Sequence, residues 1–172
     1  MYKIHQIEGY IQTIYLIEDN NKLLLLDGCT RADVQNVINY IQDILNRPLS
    51  DLKLVIATHS HPDQLGGIEL FQKRGIQVAG PSGLGKEYFG LIGVINYLID
   101  IALSHLVAIN KKKKIQNIFY KRKVKVDYIL EDNSPLPGFP HWMAFKTPGH
   151  TNIDISIIHQ ESKTAYVADN IV

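Results

Sequence analysis

The chain has 172 residues, 45% of them hydrophobic, which is enough for one domain with a sizeable core and too little for two. Its 18 basic and 17 acidic residues leave a formal net charge of +1, so no global field draws in nucleic acid or an anionic membrane, and any such contact has to be local. A single cysteine, Cys29, excludes an internal disulfide and a multi-cysteine metal cluster and fits a reducing compartment.

The opening MYKIHQIEGY lacks a basic stretch, apolar core and small-residue cleavage site, so no secretion signal is read and a cytoplasmic location is expected. IQTIYLI (11–17) and KLLLLDG (22–28) flank the turn formers Asp19, Asn20 and Asn21, which predicts a β-hairpin. From Asp33, the residues Val34, Val37, Ile38, Ile41, Ile44 and Leu45 recur at three- and four-residue intervals, predicting an amphipathic helix that stops before Pro48. LKLVIAT (52–58) is a nearly continuous apolar run, as in a strand covered on both faces. Leu65, Ile68 and Leu70 or Phe71 fit one helix face ended by Gly75, and IQVAG follows as a short strand. In the second half, VKVDYIL (124–130), WMAFK (142–146), IDISII (153–158) and TAYVA (164–168) read as strands between polar or Pro/Gly turns. The pattern is α/β with a β-rich second half, in one domain over 1–172.

THSHPDQLGG (58–67) carries the chemistry. Imidazole is the commonest zinc ligand, and a catalytic site uses three protein ligands while keeping a place for water. Positions i and i+2 of an extended segment point the same way, so His59 and His61 can face one ion, and Asp63 continues the alternation. Gly66 and Gly67 remove side-chain bulk where the next helix begins. A third histidine has to come from elsewhere, and TPGHT offers His150 in a turn, while Asp169 follows the TAYVA run. His5, His105, His141 and His159 have no companions at ligand spacing and are left to structural roles.

THSHPDQLGG, TPGHT and AYVADN together resemble the metallo-β-lactamase superfamily, and LLLLDGC resembles the ending of its second strand. The resemblance runs from the hairpin to Asp169 and implies a four-layer αββα sandwich with one or two metal ions, usually zinc, between the sheet edges. It implies that His59, His61 and His150 hold the first ion, that Asp169 bridges, that Asp63 belongs to the second site, and that Asp27 supports the loop from behind. Where the family places a further histidine after that aspartate, this chain has Gln64, a poorer zinc donor than imidazole. The family's last histidine lies well beyond the bridging aspartate, and this sequence runs only to Val172. The reading is therefore of a sandwich incomplete at its C-terminal end, holding one zinc ion rather than two, with iron or manganese also compatible. A homo-oligomer is expected to cover the sheet edge so exposed.

The implied activity is a metal-dependent hydrolase that uses metal-bound hydroxide on a small ester, thioester or lactone, with Asp63 orienting or deprotonating the water. The alternative is a catalytically inert, metal-binding oligomer. Partners are thus a small-molecule substrate and a second copy, with no nucleic acid.

One segment falls outside the family pattern. YFGLIGVINYLIDIALSHLVAIN (88–110) is long and apolar enough to span a bilayer and is followed by Lys111 to Lys114. Asn96, Asp100 and Ser104 fall on one helical face, so the segment reads as a helical insert over about 82–122, packed over the site or a dimer partner; membrane-surface contact and a true span are the alternatives. The lysines, with Lys121, Arg122 and Lys123, read as a solvated face or as a contact for an anionic partner.

Overall fold

Alternating side chains of two stacked sheets feed two separate cores. In the computed structural model, which describes residues 2–171, the first sheet has the order β1-β2-β3-β4-β5-β6 and consists of Tyr2–Glu8 (β1), Thr13–Asp19 (β2), Lys22–Leu26 (β3), Leu52–Ile56 (β4), Gln77–Gly80 (β5) and Tyr128–Ile129 (β6). The first three are antiparallel and the rest parallel. The second sheet is antiparallel, in the order β10-β9-β8-β7, from Ser134–Leu136 (β7), Phe139–Lys146 (β8), Ile155–His159 (β9) and Ala165–Tyr166 (β10).

The hairpin is where the turn residues put it. Asp19 pairs with Lys22, and Asn20 and Asn21 both take positive φ, 47° and 63°, as a two-residue turn matching the strand twist requires. Strand β1, which the apolar pattern left unassigned, pairs along its whole length with β2. Leu23, Leu25, Val55 and Val78 point into the core under the helices. Leu24, Leu26, Leu54 and Ile56 point to the other side, against Phe139, Trp142 and Ile157 of the second sheet. A strand covered on both faces has to be apolar at successive positions, which is why these strands read as continuous runs.

The helices are Val34–Asn39 (α1), Pro62–Leu65 (α2), Ile68–Gln72 (α3) and Gly90–Asn110 (α4), and α1, α3 and α4 bury residues in the core on the outer face of the first sheet. Among the described residues no helix covers the second sheet, so three layers of the expected αββα sandwich are present. Several boundaries differ from the sequence reading. After α1 the chain continues through a π-type turn, Tyr40–Ile44, which shifts the phase and leaves Ile44 65% exposed instead of on the buried face. The single helix expected after the histidine loop is split into α2 and α3 at Gly66 and Gly67. Of VKVDYIL only Tyr128 and Ile129 pair, and TAYVA contributes two residues of strand. The insert is narrower than 82–122: a short turn at Lys86–Tyr88 leads into α4, and 113–127 form neither helix nor strand.

Helix α4 lies with its polar side inward. Tyr97, Ser104 and Ala108 are buried, the Tyr97 hydroxyl donates to the Tyr120 carbonyl and accepts from the Tyr120 amide, each at 2.9 Å, and Asp100 accepts from the Tyr88 hydroxyl at 2.7 Å. Asn96, the third member of the expected polar stripe, faces solvent. The broad apolar face looks outward.

Candidate metal centre

Three chain segments deliver the ligands. The loop leaving β4 begins at Thr58, and its first turn is fixed by Asp27, at the end of β3: the Thr58 amide donates to Asp27 Oδ1 at 2.7 Å and the Thr58 hydroxyl to Oδ2 at 2.5 Å. Tyr166 of β10 also donates to Oδ2, at 3.2 Å. Asp27 thus ties the histidine loop to the second sheet. Thr58 Oγ1, its proton committed to Asp27, lies 3.0 Å from His59 Nδ1 and accepts from it, which leaves the lone pair on His59 Nε2. Burial pushes the Asp27 carboxyl up to about 7 against the opposing effect of His59 and the Thr58 bonds.

Gly66 and Gly67 let this loop sit against the segment after β3. A Cβ on Gly67 would stand 2.5 Å from the Gly28 carbonyl oxygen, and the Gly67 amide donates to the Cys29 carbonyl at 2.9 Å. The close approach inferred from the sequence is thus present, and it holds α2 at the mouth of the sheets.

Four of the six expected site residues converge. One ligand atom each from His59, His61, His150 and Asp169 lies within 4.8 Å of every other. His61 Nδ1 stands 3.2 Å from His59 Nε2 and 3.0 Å from His150 Nε2; Asp169 Oδ2 stands 3.5 Å from His59 Nε2 and 3.8 Å from His150 Nε2. A tetrahedral ion with ligand bonds of ~2.0–2.1 Å sets its donors ~3.3 Å apart, so this donor set fits one zinc-sized cation. Imidazole nitrogens facing one another at such distances need a proton or a cation between them, and burial together with the charge of His59 lowers His61 to about 4, so His61 itself is neutral near pH 7. His59 is itself raised: burial acts downward, and the hydrogen bond to Asp169 with the charges of Asp27, Asp169 and Asp63 outweighs it. Asp169 is held low by its hydrogen bond to His59.

Of the other two, Asp63 is not among the converging atoms and Gln64 reaches the cluster only as a donor to Asp169. Asp63 lies in the first turn of α2, and burial plus the charge of Asp169 raises its carboxyl to about 6. Gln64 is fully buried, and its Nε2 donates to Asp169 Oδ2 at 3.2 Å and to Gln12 Oε1 at 3.4 Å. Its Oε1 has no hydrogen-bond partner among the described residues. His5, His105, His141 and His159 lie outside the cluster, against Glu18, Tyr10, Glu161 and Ser162.

Asp154 was missed by the sequence reading. It is 2% exposed, its Oδ1 lies 3.6 Å from His59 Nδ1, and it accepts from the Thr151 hydroxyl at 2.7 Å and from the Thr151 amide. It therefore backs His59 and braces the His150 turn at once. Its place four residues after His150 was the available signal.

The model of the Metallo-beta-lactamase superfamily matches residues 7–171. Among solved structures, a HARLDQ-motif mutant metallo-beta-lactamase from Cronobacter sakazakii superposes with a TM-score of 0.63 at 17% identity, covering 94% of this chain and 58% of its own. The subclass B3 metallo-beta-lactamase BJP-1 of Bradyrhizobium japonicum gives 0.61 at 19% identity, with 90% and 52% covered. A metallo-beta-lactamase from Pontibacter korlensis gives 0.56 at 16%, with 96% and 66% covered. The chain thus spans between half and two thirds of the length of these structures. Among curated proteins no relative matches. The family match over nearly the whole chain, on a fold these structures share, means that this protein belongs to the metallo-beta-lactamase superfamily.

Proposed function

We propose that the protein is a metal-dependent hydrolase of small esters, thioesters or lactones, with zinc held by His59, His61 and His150, Asp169 beside it and one position left for water. The observation that carries this reading is the convergence of three imidazole nitrogens at spacings that suit one cation, with the Asp169 carboxylate beside them. When bound, such an ion acidifies a water toward a pKa of ~7 and polarises a carbonyl or phosphoryl oxygen. The chain supplies the rest. Thr58 and Asp154 orient the His59 ring, Asp27 fixes the loop, and Asp63, its carboxyl raised to about 6, can take up a proton from a reacting water near neutral pH and hand it to a leaving group.

A second reading, a catalytically inert metal-binding oligomer, is favoured by Gln64. Its amide donates to Asp169 where a further imidazole would be needed for a second ion, so one ion is proposed under either reading. A homo-oligomer is proposed under both readings. Turnover of generic esters, lactones and phosphodiesters by the metal-loaded chain, measured against His61→Ala, separates the two. Metal-dependent hydrolysis that the substitution abolishes supports the hydrolase. Full metal loading without turnover of any of these supports the inert reading.

A further inference from the structure

Helix α4 buries one narrow side, with Tyr97, Ile101, Ser104 and Ala108, and leaves a broad apolar side outward that the metal chemistry does not account for. Leu91, Ile95, Ile99 and Leu106 are each between 49% and 79% exposed on its outer side, whereas Tyr97 and Ser104 are buried on the inner one. Asp100 is the helix's one acidic residue, and the Tyr88 hydroxyl engages it. The 21-residue helix is about 30 Å long and offers an apolar strip over that length.

Both ends of the strip are basic. At the start, Lys86 and Lys123 are exposed and outnumber the exposed Glu87, and Lys123 Nζ stands 5.6 Å from the centre of the Phe89 ring. At the end come Lys111 to Lys114; Lys113 pairs with Glu8, while Lys112 and Lys114 project from the surface.

We infer that α4 lies flat on an anionic lipid surface, its outer side sunk among the acyl chains and the lysines at both ends among the headgroups. The charge arrangement selects this occupant. Two copies joined through this face would set basic end on basic end whether the helices ran parallel or antiparallel, whereas anionic headgroups complement both ends at once. A helix of this kind enters the boundary by ~5–10 Å, held by apolar burial and by attraction of its basic residues. A span would strip Tyr97 from Tyr120 and leave Ser104 and Asp100 facing hydrocarbon. Because α2 packs against α4, docking would carry the histidine loop to the lipid boundary. The inference does not depend on the hydrolase reading.

The test is flotation of the purified chain with phosphatidylcholine vesicles and with phosphatidylcholine vesicles containing phosphatidylglycerol, at low and high salt. The chain is expected to float with the anionic vesicles, far less with the neutral ones, and less as salt rises. Lys112→Gln and Lys114→Gln should each weaken binding about fivefold. Ile95→Glu with Leu106→Glu should abolish it while circular dichroism and thermal midpoint stay unchanged, because both side chains face solvent. A chain that stays behind with both vesicle types overturns the inference, as does equal binding to both. So does a concentration-dependent dimer that Ile95→Glu with Leu106→Glu dissolves, since the face would then belong to a second copy.

Discussion

His150 Nε2 lies 3.0 Å from His61 Nδ1, although 89 positions of sequence separate them. One ring hangs from the end of the first sheet and the other from a turn of the second, so the pair is made only when the two sheets stack. Metal binding and sheet stacking are therefore coupled. His61→Ala or His150→Ala should lower bound metal from about one ion per chain to a small residue, read by elemental analysis of purified protein. Unchanged metal content in both variants would place the ion elsewhere.

Asp27→Ala leaves the Thr58 amide and hydroxyl without their acceptor in a buried place. Loss of buried partners costs about 1–3 kcal/mol, and loosening the residue behind a ligand lowers metal affinity about 10–100-fold. Chemical denaturation and chelator competition read the two effects separately. An affinity equal to wild type would mean that Asp27 does not steady His59.

Gln64→His should raise metal content above one ion per chain, since an imidazole would replace an amide that now donates to Asp169. Elemental analysis of the metal-saturated variant decides this. A content that stays at one would show that something other than Gln64 limits the second position.

Protons compete with the metal for the same nitrogens, and the sign follows from the two histidines. His59 is raised above its ordinary value and has to lose its proton for an ion to bind, while His61, held at about 4, is already neutral. Affinity should be level above the raised value of His59 and fall about tenfold per pH unit as the pH drops below it. It should steepen further only near the lower value of His61. Chelator competition across a pH series checks this, and a flat profile through weak acid would remove His59 from the ligand set.

Gly67→Ala places a methyl 2.5 Å from the Gly28 carbonyl and 2.7 Å from Val34 Cγ2. Backbone has to shift to admit it, at about 1–3 kcal/mol of stability. The shift would also move α2 away from β3, so the thermal midpoint and metal affinity should fall together. A stable variant with normal metal binding would show that the close approach at Gly67 is dispensable.

Much of the site was legible in THSHPDQLGG and TPGHT because ligand chemistry needs particular residue types at short fixed spacing, and a strand end followed by alternating histidines leaves little freedom. The backing residues were less legible. Asp27 was found through a motif, whereas Asp154 was not, because its role depends on which ring it meets across the fold. Strands β1 and β7 were left unassigned for the same reason, and the strand expected over 124–130 forms only at Tyr128 and Ile129, where Ala79 and Gly80 lie alongside.

By itself, the sequence determined the local choices: the Asn20–Asn21 turn, the doubly apolar strands β3 and β4, and the types and order of the metal ligands. Backbone conformation and side-chain chemistry act within a few residues and so can be read along the chain. Only the tertiary structure decided which atoms meet: His61 with His150, Asp154 with His59, and the inward side of α4. Periodicity announces that a helix has two faces, but which of them is buried depends on what the rest of the fold brings to it. Here Tyr120 and Tyr88 offered hydrogen bonds to the polar side and left the apolar side outward.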